Sequence, residues 1–236
     1  MKFANKFLTY IKWQIDRPID LKGKKSVHLD LGSGSRPANP FNCDYLIASD
    51  VKINTYKVQD NFKFISLVNF SIPIDNSSID SVSAYDVIEH IPRNFFEPGN
   101  QMFNPFIQMM NEIARILKPG GIFIAVTPAY PSSVAFQDPT HVNFITIDTV
   151  NYFTNCEWAT DLGYEFAGKF EIIQNCWLRG QSPYVGRLDV GESTINGYPI
   201  SKSGLNYYLR IMKRFFKFCI FPQKKTHILW VLKKTI

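Results

Sequence analysis

The chain has 236 residues, 45% hydrophobic and 19% charged, which is enough for one large core with an embellishment and leaves no second independent domain to expect. No run of about eighteen uncharged apolar residues occurs, which argues against a membrane-spanning helix, and the N-terminus lacks the apolar stretch and small-residue cleavage site of a signal peptide. The net charge of +6 is a C-terminal property: nine Lys and Arg follow Glu192 with no acid among them, so residues 1–192 carry −3. The four cysteines, Cys43, Cys156, Cys176 and Cys219, are scattered without a C-x-x-C pair, as expected of free thiols in a reducing cytoplasm rather than of disulfides or zinc ligands.

In chain order, Phe3, Phe7, Leu8, Ile11 and Ile15 recur at helical spacing with Lys2, Lys6 and Lys12 between them, predicting a helix within residues 1–25. Val27 to Leu31 then reads as a buried strand running into the turn Gly32-Ser33-Gly34, where two missing Cβ atoms permit a tight bend and close approach of a ligand. Tyr45 to Ser49 is a second short strand ending in Asp50, an acid placed where a carboxylate accepts hydrogen bonds from ribose hydroxyls. Strands are expected over 62–67 and 81–85, a helix over 104–117 and a strand over 122–127. Asn104 would cap the helix, Pro105 would open its first turn, and Ile107, Met110, Ile113, Ile116 and Leu117 would form its buried stripe. Pro119-Gly120-Gly121 marks the turn between helix and strand. A helix over 147–161 follows, then two strands antiparallel to each other, Phe166–Trp177 and Thr226–Leu232. Between them lie a loop rich in Gly, Ser and Pro at 178–203 and an amphipathic segment, Ser203–Cys219, whose basic face carries Arg210, Lys213, Arg214 and Lys217.

Four stretches in this order, DLGSGSRP, IPIDNSSIDSV, YDVIEHI and ARILKPGG, resemble a class I S-adenosylmethionine-dependent methyltransferase of the small-molecule type over roughly residues 26–180. A dinucleotide-binding reading fits less well, because Arg36 and Pro37 stand where its third glycine belongs. The resemblance implies an α/β fold: a doubly wound, Rossmann-like, seven-stranded and mainly parallel sheet with an antiparallel last strand and helices on both faces. It also implies an N-terminal cap helix (1–25) on a single domain (26–236), and S-adenosylmethionine as cofactor with S-adenosylhomocysteine as product. Carried over residue by residue, Gly32 and Gly34 would lie under the donor, Asp30 would orient its ammonium, and Asp50 would hold its ribose. Asn69 stands near where related enzymes place an acid beside the adenine, and Tyr85 and Asp86 would border the methionine end.

The acceptor side is expected on Thr127–Pro131 and Phe136–Phe144, which follow the fifth strand. Asp138, three residues before His141 and held by Pro139, could orient that imidazole as general base toward a hydroxyl, making His141 and Asp138 the catalytic candidates. The alternative is that both residues cap the next helix. A metal-assisted version lacks a third carboxylate at a convincing spacing, so no metal is expected. Glu89 and His90 sit beside the expected methyl site, but a histidine bonded to backbone explains them equally well. The D-P-T-H stretch resembles a subgroup associated with bacterial surface-glycan biosynthesis, which implies a sugar or related hydroxyl as acceptor. An N- or C-methyltransferase acting on a quinone or lipid precursor, and a SAM-binding protein without catalysis, are the alternatives. The basic C-terminal segment admits peripheral membrane contact, although packing on the sheet is the simpler reading; neither basic segment carries a nucleic-acid motif.

Overall fold

The computed structural model describes residues 23, 25–34, 37–50, 62–65, 71–96, 102–154, 165–179, 194–195, 198–199 and 225–235. The helix expected within residues 1–25 and most of the 178–203 loop fall outside these residues, as do Asn69 and Ser203–Cys219.

The strands are β1 (Val27–Leu31), β2 (Tyr45–Ser49), β3 (Phe62–Ile65), β4 (Ile79–Tyr85), β5 (Phe95–Phe96), β6 (Met102–Phe103), β7 (Leu117–Pro128), β8 (Phe170–Arg179), β9 (Thr194–Ile195), β10 (Tyr198–Pro199) and β11 (Lys225–Lys234). Seven of them form one sheet in the order β3-β2-β1-β4-β7-β11-β8, while β5–β6 and β9–β10 are two-residue ribbons. Successive pairs from β3 to β7 are parallel, and β11 runs antiparallel to both β7 and β8. Chain order reverses beside β1, whose neighbours are β2 and β4, and at such a switch point the carboxyl ends of the strands border the ligand crevice of an open α/β sheet.

All five residues of β1 are buried, as befits a central parallel strand covered on both faces. Its one imidazole is accommodated by hydrogen bonds along β4. Ser83 has a single hydroxyl proton and gives it to Asp30 Oδ1 at 2.6 Å. Ser83 must therefore accept from His28 Nε2–H at 2.8 Å, which leaves His28 Nδ1 to accept from the Ser81 hydroxyl at 2.8 Å. Burial lowers the His28 pKa to about 3, in keeping with a neutral ring.

Helix α1 (Pro105–Ile116) begins where Asn104 Oδ1 accepts the Ile107 amide at 3.0 Å, with Pro105 in the first turn. Its buried face is Phe106, Met109, Met110, Ile113, Ala114 and Ile116; Ile107, expected in that stripe, is only half-buried. Phe106 meets Phe153 edge to face, and Phe153 in turn contacts Phe166 and Trp230, joining helix to sheet. Strand β7 starts at Leu117, earlier than the Pro-Gly-Gly pattern suggested, because Lys118–Gly121 bulges within the ladder between the Ile79–Leu117 and Ser81–Ile122 pairs. Gly120 has φ +80, and a Cβ on Gly121 would lie 2.8 Å from the Lys118 carbonyl. Asp80 fastens the bulge by accepting Lys118 Nζ and the Val27 amide, each at 2.8 Å. Strand β8 begins at Phe170 rather than Phe166, whose ring stacks on Phe170 instead of joining the ladder. Within the helix expected over 147–161, the described helical turn is α3 (Asn151–Thr154).

Candidate active site

The crevice is lined by what leaves the carboxyl ends of β1, β2, β4 and β7. At β1 the two glycines divide the labour. Gly32 (φ +61) presses against Val87, which would collide with any Cβ placed there, so this glycine lets the loops after β1 and β4 meet. Gly34 (φ +56) has no atom within 4 Å of its would-be Cβ, so glycine is favoured there by the left-handed backbone rather than by a close contact. Its amide donates to Asp50 Oδ2 at 2.8 Å, and the Ser33 amide donates to the Ser49 carbonyl at 2.9 Å, so the end of β2 holds the turn in shape.

Asp30 is 1% exposed, with Oδ1 taken by Ser83 and Oδ2 by the Ala38 amide at 2.6 Å. A carboxylate buried and bonded in this way ties β1, β4 and the post-turn loop together. Tyr85, half-buried, ends β4 and packs beside Ile124 and Val126. Asp86 follows with φ +54, a left-handed conformation rare outside glycine, fixed by its amide on the Val126 carbonyl at 2.9 Å. His227 Nε2 lies 3.5 Å from Asp86 Oδ1. The sequence reading did not single out His227. The signal was available in topology: an antiparallel last strand brings its first residues to the pole where the parallel strands end.

After Asp86, a single 3₁₀ turn (Ile88–His90) carries Glu89 and His90. Glu89 is 1% exposed; Oε2 accepts the Thr127 hydroxyl at 2.9 Å, and Oε1 has no hydrogen-bond partner among the described residues. Burial, reinforced by the nearby Asp86, raises its pKa to about 8. The loop after β7, which includes the short helix α2 (Val134–Gln137), folds back onto this turn: the Val142 and Asn143 amides both donate to the Glu89 carbonyl at 2.9 Å, and Asn143 Nδ2 donates to the Ile88 carbonyl at 3.0 Å. His141 thereby lies against His90, ring centroids 4.8 Å apart and edge to face.

The expected pairing of Asp138 with His141 is replaced by two local ones. Asp138 Oδ1 accepts both the amide of Thr140 (2.8 Å) and its hydroxyl (2.7 Å), bonds that lower its pKa. The His141 ring is instead oriented through Nδ1 by the Ala135 carbonyl at 3.1 Å. His90 Nδ1 meets the Thr140 carbonyl at 3.2 Å, and burial lowers its pKa, which favours the neutral ring. One ligand atom each from Glu89, His90 and His141 come within 4.8 Å of one another, a grouping the sequence reading did not assemble. Beside them Phe136 stacks on Phe144 with centroids 4.9 Å apart, Tyr130 meets Phe136 edge to face, and all three rings stand exposed.

Residues 29–125 match the family profile described as Methyltransferase domain. No curated protein sequence is similar to the chain. Among solved structures, it is similar to the YcgJ protein of Bacillus subtilis, at 16% identity over 91% of this chain and 94% of that one, with a TM-score of 0.45. It is also similar to a SAM-dependent methyltransferase of Archaeoglobus fulgidus, at 12% identity over 99% of this chain and 92% of that one, TM-score 0.41. A third is the geranyl diphosphate C-methyltransferase of Streptomyces coelicolor, solved with Mg²⁺, geranyl diphosphate and S-adenosylhomocysteine, at 11% identity over 99% of this chain and 78% of that one, TM-score 0.47. Residues 29–125 are thus similar to a methyltransferase domain, and they lie in a mostly parallel sheet with an antiparallel last strand. Among the described residues no helix is long and apolar enough to cross a membrane.

Proposed function

We infer that this protein is an S-adenosylmethionine-dependent enzyme that methylates a hydroxyl of a small polar acceptor, with a sugar or related metabolite as the leading class and bacterial glycan biosynthesis as the setting. The observation that carries this reading is the set of His141. Its Nδ1–H is spent on the Ala135 carbonyl, which leaves the Nε2 lone pair for an acceptor's proton, on the loop that leaves the same sheet edge as the glycine turn. The exposed Phe136–Phe144 stack offers an apolar surface of the kind that holds the apolar face of a ring.

On the donor side, Gly34 would let the cofactor lie on bare main chain, Asp50 would receive its ribose hydroxyls, Tyr85 and Asp86 would border its methionine end, and Asn69 would stand beside the adenine. Gly32 would act indirectly, by letting the two crevice loops touch. The cofactor supplies an electrophilic methyl on a sulfonium. The protein's own tasks are to hold the acceptor in line, exclude water and remove one proton. Asp138 would serve by shaping the turn that presents Thr140 and His141.

The test is a paired one. Asp50→Ala should weaken S-adenosylmethionine binding in calorimetry by about tenfold or more, a loss of roughly 1.4 kcal/mol. His141→Gln should leave that binding within about twofold while transfer to a panel of nucleotide sugars and glycan fragments, followed by mass spectrometry, falls by about a hundredfold. Equal loss of binding in both variants, or methylation confined to nitrogen or carbon, overturns the reading.

A further inference from the structure

We propose that Glu89, His90 and His141 bind a divalent transition-metal ion at the acceptor side of the crevice. This goes beyond the reading above: His141 is the base when the ion is absent, whereas with the ion bound its lone pair is a ligand and a hydroxide on the ion would take the proton, and the site stands or falls without reference to which acceptor is methylated.

Three independent features of the cluster point to a cation. First, Glu89 is 1% exposed, and its Oε1 has no hydrogen-bond partner among the described residues, although Oε2 is satisfied by Thr127. A buried carboxylate oxygen without a donor is costly, and a positive ion is the partner that satisfies it outright. Second, both imidazoles are tied by the same nitrogen to a main-chain carbonyl, His141 Nδ1 to Ala135 at 3.1 Å and His90 Nδ1 to Thr140 at 3.2 Å. A carbonyl only accepts, so Nδ1 holds the proton and Nε2 the lone pair in each ring. This is the outer-shell arrangement that fixes tautomer and aim in metal-binding histidines. One ring set in this way suits a general base; two set alike, edge to face at 4.8 Å, supply a pair of nitrogen donors.

Third, the frame is rigid. The two amides of Val142 and Asn143 on the Glu89 carbonyl, and Asn143 Nδ2 on the Ile88 carbonyl, stitch the His141 loop onto the turn that carries the other two residues. The ligand atoms lie within 4.8 Å of one another. Tetrahedral donors about 2.1 Å from a common ion sit about 3.4 Å apart, so the widest pair must draw in by about 1.4 Å, an adjustment shared between two side chains. Two imidazoles and one carboxylate favour Zn²⁺, Fe²⁺, Co²⁺ or Mn²⁺ over the all-oxygen preferences of Mg²⁺ and Ca²⁺. Three protein ligands leave coordination positions for water or an acceptor oxygen, and an ion there lowers the pKa of a bound hydroxyl.

The experiment uses the full chain, stripped with a chelator and titrated with Co²⁺, Zn²⁺ and Mg²⁺ without cofactor. Calorimetry reads stoichiometry and visible absorption reads the Co²⁺ ligand field. The expected result is a single Co²⁺ or Zn²⁺ per chain, held about a hundredfold more tightly than Mg²⁺. Glu89→Gln, His90→Gln and His141→Gln should each weaken binding about tenfold or more and alter the Co²⁺ spectrum, whereas Cys176→Ser should change neither. S-adenosylmethionine binding by each variant verifies that it is folded. Co²⁺ binding that survives all three substitutions, or absence of Co²⁺ and Zn²⁺ binding in a chain that still binds the cofactor, overturns the metal site and leaves the O-methylation reading to its own test. Metal binding by an enzyme that methylates only nitrogen or carbon upholds the site and overturns that reading.

Discussion

The Asp50 carboxylate accepts the Gly34 amide at 2.8 Å, so the residue expected to receive the donor's ribose also holds the turn on which the donor would lie. The two tasks separate by substitution. Asp50→Asn keeps a carbonyl oxygen for the amide and loses the charge, whereas Asp50→Ala loses both. Cofactor affinity should fall in the order wild type, Asn, Ala, with the alanine variant about tenfold or more weaker. Calorimetric titration with S-adenosylhomocysteine reads the order directly, and equal affinities in all three would remove Asp50 from the site.

The glycines of the turn should respond in opposite ways. Gly32→Ala places a Cβ into Val87 at a positive φ, so the expected outcome is loss of stability by about 2 kcal/mol or more, with cofactor affinity falling alongside. Gly34→Ala has room for its Cβ and bears only the left-handed backbone cost, about 1 kcal/mol, while the methyl now occupies the open approach to the main chain. Thermal unfolding should therefore show the larger drop for Gly32→Ala. Calorimetry should show Gly34→Ala losing cofactor binding at temperatures where it remains folded.

His28 gives the fold a defined acid sensitivity. Its folded pKa is about 3 against 6.5 for the free ring, so between those values the unfolded chain binds the extra proton. Stability from this group is whole above pH 6.5 and is lost as pH falls toward 3, by at most about 5 kcal/mol. Protonation would force Nδ1 to donate where it now accepts from Ser81. His28→Gln retains a donor and an acceptor without titrating. Urea unfolding across pH 7 to 4 should show a shallower slope for this variant than for wild type, and parallel slopes would mean that His28 titrates normally in the fold.

The parts of this architecture that could be read along the chain are those set by local periodicity and punctuation. The apolar Val27, Leu29 and Leu31 of β1, the Asn104-Pro105 helix start and the glycine pair after Leu31 each fix their own local conformation. What could not be read depends on residues far apart. Glu89 and His141 meet only because the Val142 and Asn143 amides find the Glu89 carbonyl, and His227 reaches Asp86 only because β11 enters the sheet antiparallel. The Asp138–His141 pairing failed for a local reason: an aspartate at a turn captures the amide two residues on more readily than a ring three residues on. Asp30 shows the same dependence on distant residues, because Ser83 and the Ala38 amide, which bond its two oxygens, come from β4 and from beyond the glycine turn.

Arg115 explains why two of the four motif stretches stand in register without touching the crevice. Its guanidinium donates to Glu112 through Nε (2.6 Å) and Nη2 (2.8 Å), to the Ile72 and Ile74 carbonyls at 2.8 Å each, and to Asn76 Oδ1 at 2.7 Å. Glu112 in turn accepts the Ile72 amide at 2.7 Å, so ARILKPGG and IPIDN are clamped to each other through one planar fork and one carboxylate. An ammonium cannot reproduce that fork. Arg115→Lys should lower stability by about 1–2 kcal/mol, and Arg115→Met should lower it further because it leaves Glu112 without its charge partner beside two carbonyls that lose their donors. Neither variant should change cofactor affinity at a temperature where it is folded, by more than about twofold. Denaturant unfolding together with S-adenosylhomocysteine titration checks both halves; a large affinity loss in a folded Arg115→Lys enzyme would mean that the clamp reaches the crevice after all.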